Sequence, residues 1–165
     1  MIEEEIGTDL QKRRLSLATA ESCTGGLVSH RITNVSGSSR YYKGGVIAYA
    51  NEVKEKILHV ATKTLKEKGA VSAECAEEMA SGVRELLGSD IGIAATGIAG
   101  PTGGTSDKPV GLVYIALATK DNRYHEKHIF HEDREGNKRK AADAVLELLK
   151  RSLLPEVKRA RSSER

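Results

Sequence analysis

Two hydrophobic periods alternate along this chain and predict most of its elements. Ile2, Ile6 and Leu10 recur every fourth position, which predicts a leading helix over residues 1–14. Residues 15–20 form a short apolar run that reads as a buried strand. Leu27, Val28, Ile32 and Val35 then suit a helix to about Asn34, broken by the loop S-G-S-S at 36–39. Residues 44–50 read as a second strand entered through a glycine pair, with Asn51 as the N-cap of a short helix to Leu58. A short helix at 64–68 ends at Gly69. Ser72 caps a long one to about Leu87, with Ala76, Met79, Ala80, Val83, Leu86 and Leu87 on its apolar side and Gly88 as its stop. Residues 90–95 are nearly all apolar, the look of a central strand covered on both faces. Residues 110–119 and 124–130 predict an antiparallel hairpin at one edge or side of the sheet. The last helix runs from about Glu135 to Leu153, with Ala141, Ala144, Val145 and Leu148 inward.

Strands that mostly alternate with helices predict an α/β fold, a three-layer α/β/α sandwich with a mixed, mostly parallel sheet. No linker or internal repeat divides the 165 residues, so a single domain over 1–165 is expected, with a basic, frayed tail from about 155. Charged residues make up 30% and hydrophobic ones 39%, an ordinary balance, and the net charge of +3 owes much to Lys158, Arg159 and Arg161. That mild charge makes nucleic acid an unexpected partner. Cys23 and Cys75 have no metal-ligand spacing and suggest no disulfide framework. The acidic start M-I-E-E-E-I is unlike a signal peptide, and no apolar run approaches the ~20 residues that span a bilayer. A soluble, cytoplasmic protein with no membrane association is the expectation.

Candidate chemistry gathers at T-A-E-S-C-T-G-G, residues 19–26, where a strand turns into a helix. Such a turn aims backbone N–H groups and the positive end of a helix at whatever lies over it. It also presents Ser22 as a nucleophile, although Ser22 or Thr24 would serve equally as a plain helix cap. Lys54 falls in the first turn of the helix after Asn51, where the dipole disfavours a cation. Partial desolvation there lowers its pKa toward that of a usable base. Ser–Lys pairs replace Ser–His–Asp in some hydrolases, and Tyr49 is placed to relay a proton; a surface lysine and a packed tyrosine are the alternatives. Cys23 is a rival nucleophile, read here as buried packing. His125 and His128 face opposite sides of a strand, so no metal site is expected. The glycine-rich loop at 97–109 has the length and composition of a ligand loop. Arg134 and Arg139 are candidates for a phosphate clamp.

These motifs together resemble the CinA C-terminal domain family. The resemblance rests on A-T-A-E-S-C-T-G-G, G-G-V-I-A-Y-A-N-E-V-K, G-A-V-S, T-G-I-A-G-P-T-G-G, K-P-V-G and a late D-R, in that order over nearly the whole chain. It implies an α/β/α sandwich, a homodimer and a nicotinamide mononucleotide (NMN) amidohydrolase that releases ammonia in pyridine nucleotide salvage. It implies Ser22 as nucleophile, Lys54 as its partner and Tyr49 nearby. Thr24, Gly25, Gly26, Thr96, Gly97 and Arg139 are then expected around the nucleotide, with neither metal nor cofactor. Some relatives carry a further N-terminal domain, and this chain looks like the stand-alone form. The rival reading is a non-catalytic nucleotide-binding module associated with competence or DNA damage.

Overall fold

A computed structural model describes residues 1–155; the basic tail read at 158–161 lies outside the described residues. Helix α1 (Ile2–Arg13) leads into strand β1 (Leu17–Glu21). Helix α2 (Leu27–Thr33) crosses to β2 (Tyr42–Ile47). Three helices follow: α3 (Asn51–Lys56), α4 (Thr62–Glu67) and α5 (Ala73–Leu87). The chain then runs through β3 (Ile91–Gly97), β4 (Leu112–Ala118), β5 (Arg123–Ile129) and α6 (Arg134–Ser152). The caps fall close to where the side chains predict them. Ser72 Oγ accepts from the Cys75 N–H, and Gly88 ends α5 in the left-handed region at φ 61°.

The strand order is β2-β1-β3-β4-β5. β1 pairs in parallel with β2 and β3, while β4 runs antiparallel to both β3 and β5, so the sheet is mixed and only β4 is reversed. The apolar run at 91–95 is a central strand, as its composition predicts, and the hairpin β4–β5 closes one edge. Because β1, β2, β3 and β5 share a direction, their carboxyl ends lie along one rim. The segments that follow them, starting at Ser22, Ala48, Ile98 and Phe130, emerge together there. Ligands of open α/β sheets bind at such a rim.

The two faces of the sheet are built from different side chains. Leu17, Ile91, Ile93, Val113, Ile115 and Leu117 face α1, α2 and α6. The alternate positions, Ala18, Ala20, Ala94, Ala116 and Ala118, face α5 and its neighbours. Small residues let α5 come close. A β-carbon on Gly92 would lie 2.1 Å from the Ala80 carbonyl oxygen, and one on Gly82 would lie 1.9 Å from that of Leu58. Among the described residues no helix is long and apolar enough to cross a membrane.

Candidate active site

Ser22 directly follows β1, and its N–H donates to the Ala95 carbonyl of β3 at 2.9 Å, so the residue is pinned to the centre of the sheet. The pin has a second part. Glu21, itself buried, turns its carboxylate back onto the head of α2, where Oε1 accepts from the Val28 N–H at 2.8 Å. Oε2 accepts from the Ser29 N–H at 3.0 Å and from Ser29 Oγ at 2.6 Å. The network continues from Ser29 Oγ to Thr19 Oγ1 and on to the Tyr42 hydroxyl. This corrects one expectation. The positive end of α2 does not lie open over the turn; a carboxylate of the chain already fills it, as the charge rule for helix ends favours.

The turn itself leaves other donors free. The Gly25 N–H goes to the Ser22 carbonyl and that of Leu27 to the Thr24 carbonyl. The N–H groups of Cys23, Thr24 and Gly26 donate to no backbone carbonyl among the described residues. Gly25 and Gly26 hold φ of 60° and 101°, which side chains resist, so glycine is what permits the turn to double back.

Lys54 meets Ser22 from α3, the helix that follows the adjacent edge strand β2. Its Nζ lies 2.9 Å from Ser22 Oγ, 2.7 Å from the Ala48 carbonyl oxygen and 3.3 Å from that of Tyr49. The side chain is only 1% exposed, and burial lowers its pKa from the ordinary lysine value. The position differs by one residue from the sequence expectation: Ala50, not Asn51, is the N-cap, so Lys54 sits fourth in a six-residue helix. Burial, rather than the first-turn dipole, is what disfavours its charge. Three oxygens around one nitrogen suit both protonation states. The ammonium can donate to all three, and the neutral amine can donate to the two carbonyls while its lone pair accepts from the serine.

The other expected residues divide between two cavities. One of about 190 Å³ is lined by Ser22, Cys23, Tyr49, Asn51, Lys54, Thr96, Gly97 and Arg134, among others. The Tyr49 side chain is 62% exposed, and its hydroxyl accepts from the Arg134 guanidinium at 3.1 Å; its carbonyl, not its phenol, touches Lys54. Thr96 is buried and donates to the Ala70 carbonyl at 2.8 Å. Gly97 passes so close to β4 that a β-carbon would meet the Leu112 oxygen at 2.6 Å. Cys23 is buried, and burial pushes its thiol up to about 12. A thiol that weakly acidic supplies almost no thiolate at neutral pH, which agrees with its reading as packing.

The second cavity, about 470 Å³, lies over Thr24, Gly25 and Gly26 and is walled by Leu27, His30, Glu135, Lys138 and Arg139. Arg139 thus lines a different cavity from Lys54, and it is exposed and paired with Glu135 at 3.6 Å. The arginine that shares a cavity with Ser22 is Arg134, which also donates to the Gly100 carbonyl at 2.6 Å. Thr24 is buried, with its hydroxyl unpartnered. No group of three or more histidine, cysteine, aspartate or glutamate side chains is arranged for a metal among the described residues.

Sequence reasoning did not find Lys138 or Asn137. Asn137 is buried, donates to the Ala99 carbonyl at 3.0 Å and accepts from the Glu132 N–H at 3.0 Å, which fastens the glycine-rich loop to α6. An asparagine in the first turn of a helix that follows a strand is a weak signal, and its partner 38 residues away is invisible to local pattern.

A mixed α/β sandwich with a buried serine–lysine contact at the carboxyl rim of its sheet defines the class of structure. The profile of the CinA C-terminal domain matches residues 1–153, and the chain belongs to that family. A CinA-like protein of Salinibacter ruber is 51% identical over 152 residues, which are 92% of this chain and 37% of that protein. A CinA-like protein of Geobacter sulfurreducens is 48% identical over 93% of this chain and 37% of its own length. The chain therefore spans about 37% of these curated relatives. Among solved structures, the competence/damage inducible protein CihA of Agrobacterium tumefaciens superposes with a TM-score of 0.89 at 37% identity. That match covers 92% of this chain and 93% of the other. A CinA superfamily protein of Klebsiella pneumoniae also gives 0.89, at 32% identity over 92% and 95% of the two chains.

Proposed function

We propose that this chain is an amidohydrolase that deamidates nicotinamide mononucleotide to nicotinic acid mononucleotide and ammonia, with Ser22 as nucleophile and Lys54 as base. The observation that carries the reading is the 2.9 Å contact between Lys54 Nζ and Ser22 Oγ, made by a lysine that is almost wholly buried. An isolated surface lysine or a capping serine has no reason to be arranged so.

The steps follow from the atoms at hand. Neutral Lys54 takes the Ser22 proton as Oγ attacks the carboxamide carbon, and the carbonyl becomes an oxyanion. We assign the oxyanion to the N–H groups of Cys23 and Thr24, which bond no backbone carbonyl among the described residues and of which the first belongs to the residue after the nucleophile. As the tetrahedral intermediate collapses, the C–N bond breaks and the Lys54 ammonium returns its proton to the departing nitrogen, which leaves as ammonia. Water, deprotonated by the amine now neutral again, attacks the acyl ester. Oγ leaves with the proton and the carboxylate product is released. The fixed positive charge of the pyridinium ring draws electrons from the carboxamide, so a serine activated by an amine suffices. Tyr49 and Arg134, joined by a hydrogen bond across the mouth, wall the cavity rather than enter the proton path.

The test is ammonia release from NMN by the purified chain. Ser22→Ala should abolish turnover and retain NMN binding, whereas Cys23→Ser should keep most of the rate. Activity that survives Ser22→Ala and dies with Cys23→Ser would make the thiol the nucleophile. Tight nucleotide binding without ammonia from the unmodified chain would favour a non-catalytic binding module.

A further inference from the structure

Glu21 ties the turn that bears Ser22 both to the sheet and to the helix beyond it. Its backbone lies between two strands, in register with Ile47 of β2 and Ala95 of β3. Its carbonyl accepts from the Ala48 N–H at 2.8 Å, and the Ala48 carbonyl in turn holds Lys54 Nζ. Its side chain, 1% exposed, takes the N–H groups of the second and third residues of α2, Val28 and Ser29, together with Ser29 Oγ. A helix is ordinarily capped by the side chain of its own N-cap residue. Here that residue is Gly26, at φ 101°, where a serine or aspartate would be strained. The cap therefore comes from five residues upstream, from a buried carboxylate whose three donors are all neutral. A carboxylate can only accept, so the hydroxyls behind it run one way: Ser29 donates to Glu21, Thr19 to Ser29 at 2.8 Å, and Tyr42 to Thr19 at 2.7 Å. Gly45 keeps room for this chain, since a β-carbon there would lie 2.1 Å from Thr19 Oγ1.

We propose that Glu21 is a positioning residue for acyl transfer: its carboxylate fixes the turn after Ser22 so that the Cys23 and Thr24 N–H groups are in place for the oxyanion. The proposal rests on the amidohydrolase reading and concerns how that reaction's transition state is held. Gly25 and Gly26 give the turn its shape, but glycine is also the residue with the most backbone freedom. Inside the turn there are two backbone bonds, from the Gly25 N–H to Ser22 and from the Leu27 N–H to Thr24, and neither reaches the sheet. The Ser22 N–H on Ala95 fastens one end, and the Glu21 carboxylate on Val28 and Ser29 fastens the other. Donors stabilise an oxyanion well only when they are held before the charge develops. Loosening the clamp therefore acts on the transition state more than on the bound substrate.

Glu21→Gln in the full chain tests this, because the amide has the carboxylate's shape but turns an NH2 donor toward the Ser29 or the Val28 N–H. kcat for ammonia release from NMN should fall by about 10–100-fold, the effect of a small misplacement. NMN affinity, titrated in the Ser22→Ala background, should change by less than about threefold. The rising pH limb assigned to Lys54 should keep its position. Pyridine-3-boronic acid reports on the oxyanion donors directly: Ser22 Oγ bonds to boron, Lys54 takes the proton, and the boron becomes a tetrahedral anion. Its affinity should fall by the same factor as kcat. Ser29→Ala, which spares both N–H bonds, should show a smaller loss of the same kind. Partial unfolding would instead lower the number of boronate sites and leave the affinity of the rest unchanged, and that result would overturn the proposal. An undiminished kcat in Glu21→Gln, or a loss confined to NMN affinity, would overturn it too. A parent chain that takes the boronate at Ser22 but releases no ammonia from NMN would overturn the amidohydrolase reading, and the boronate affinity of Glu21→Gln would still decide the clamp. A parent chain that does neither would overturn both.

Discussion

Lys54 as an ammonium has three N–H groups for three nearby oxygens; as an amine it has two N–H groups and a lone pair for the same three. Only the amine can accept a proton, so the rate should follow its titration. Burial lowers the folded-state pKa below the ~10.4 of a free lysine. kcat/KM should therefore rise with pH through that lowered value and level off above it. Lys54→Met should remove this limb and about 10²–10⁴-fold of the rate. Lys54→Arg should fail comparably, because a guanidinium stays protonated. Near-normal activity in the arginine variant would reduce Lys54 to an electrostatic role. Stability has the same sign. Between the lowered pKa and ~10.4 the unfolded chain binds the proton more readily than the folded one, so the native protein should gain stability over Lys54→Met as pH rises through that window. Urea midpoints of the two proteins at neutral and alkaline pH would check it.

At the scale of elements, α5 and the small-residue face of the sheet pose a sharper packing test than the larger core opposite. Alanine is the better helix former than glycine by ~0.8–1 kcal/mol. At position 82, however, the added methyl would stand 1.9 Å from a backbone oxygen of Leu58, an atom with little freedom to yield. Overpacking of that sort costs about 1–3 kcal/mol and should win. The net cost of up to ~2 kcal/mol should lower the Tm of Gly82→Ala by up to roughly 8 °C in a calorimetric scan; a rise would mean that the segment at Leu58 moves aside. Close approach of this kind is silent in the sequence, where Gly82 reads only as a weak spot in a helix. What local pattern carries well is the existence and type of each element. Ser72, Gly69 and Gly88 mark helix ends through their own backbone preferences, and the 91–95 run announces a strand with both faces covered. Pattern fails where the decisive partner is remote or turns back on itself. Glu21 reads as a strand residue until its carboxylate is seen on Val28 and Ser29. Arg134 and Arg139 are five residues apart on α6, so about 140° apart around its axis, but which cavity each one lines depends on elements far away in the chain.

Considered whole, the molecule assembles its candidate site from segments that no stretch of sequence joins: the ends of β1, β2, β3 and β5. Ser22, Lys54 and the glycine-rich loop could be placed together from sequence only on the condition that their strand ends coincide, since strand order is a long-range property. The resemblance of several motifs to one family made up for that gap. The order β2-β1-β3-β4-β5 meets the condition, and it also divides the site unequally. Ser22 is anchored between two neighbours, with its N–H on β3, whereas Lys54 hangs from β2, which has a partner on one side only. Edge elements open at lower free energy than the centre of a sheet. As denaturant rises, amide protons of 42–47 should exchange before those of β1 and β3. Ammonia release should then decay at a lower denaturant concentration than the far-ultraviolet circular dichroism does. Coincident midpoints would show that β2 and the core melt as one. With the midpoints apart, the chain would lose its chemistry while still folded, and the working lifetime of the site would be set by the hold of one outer strand rather than by the strength of the core.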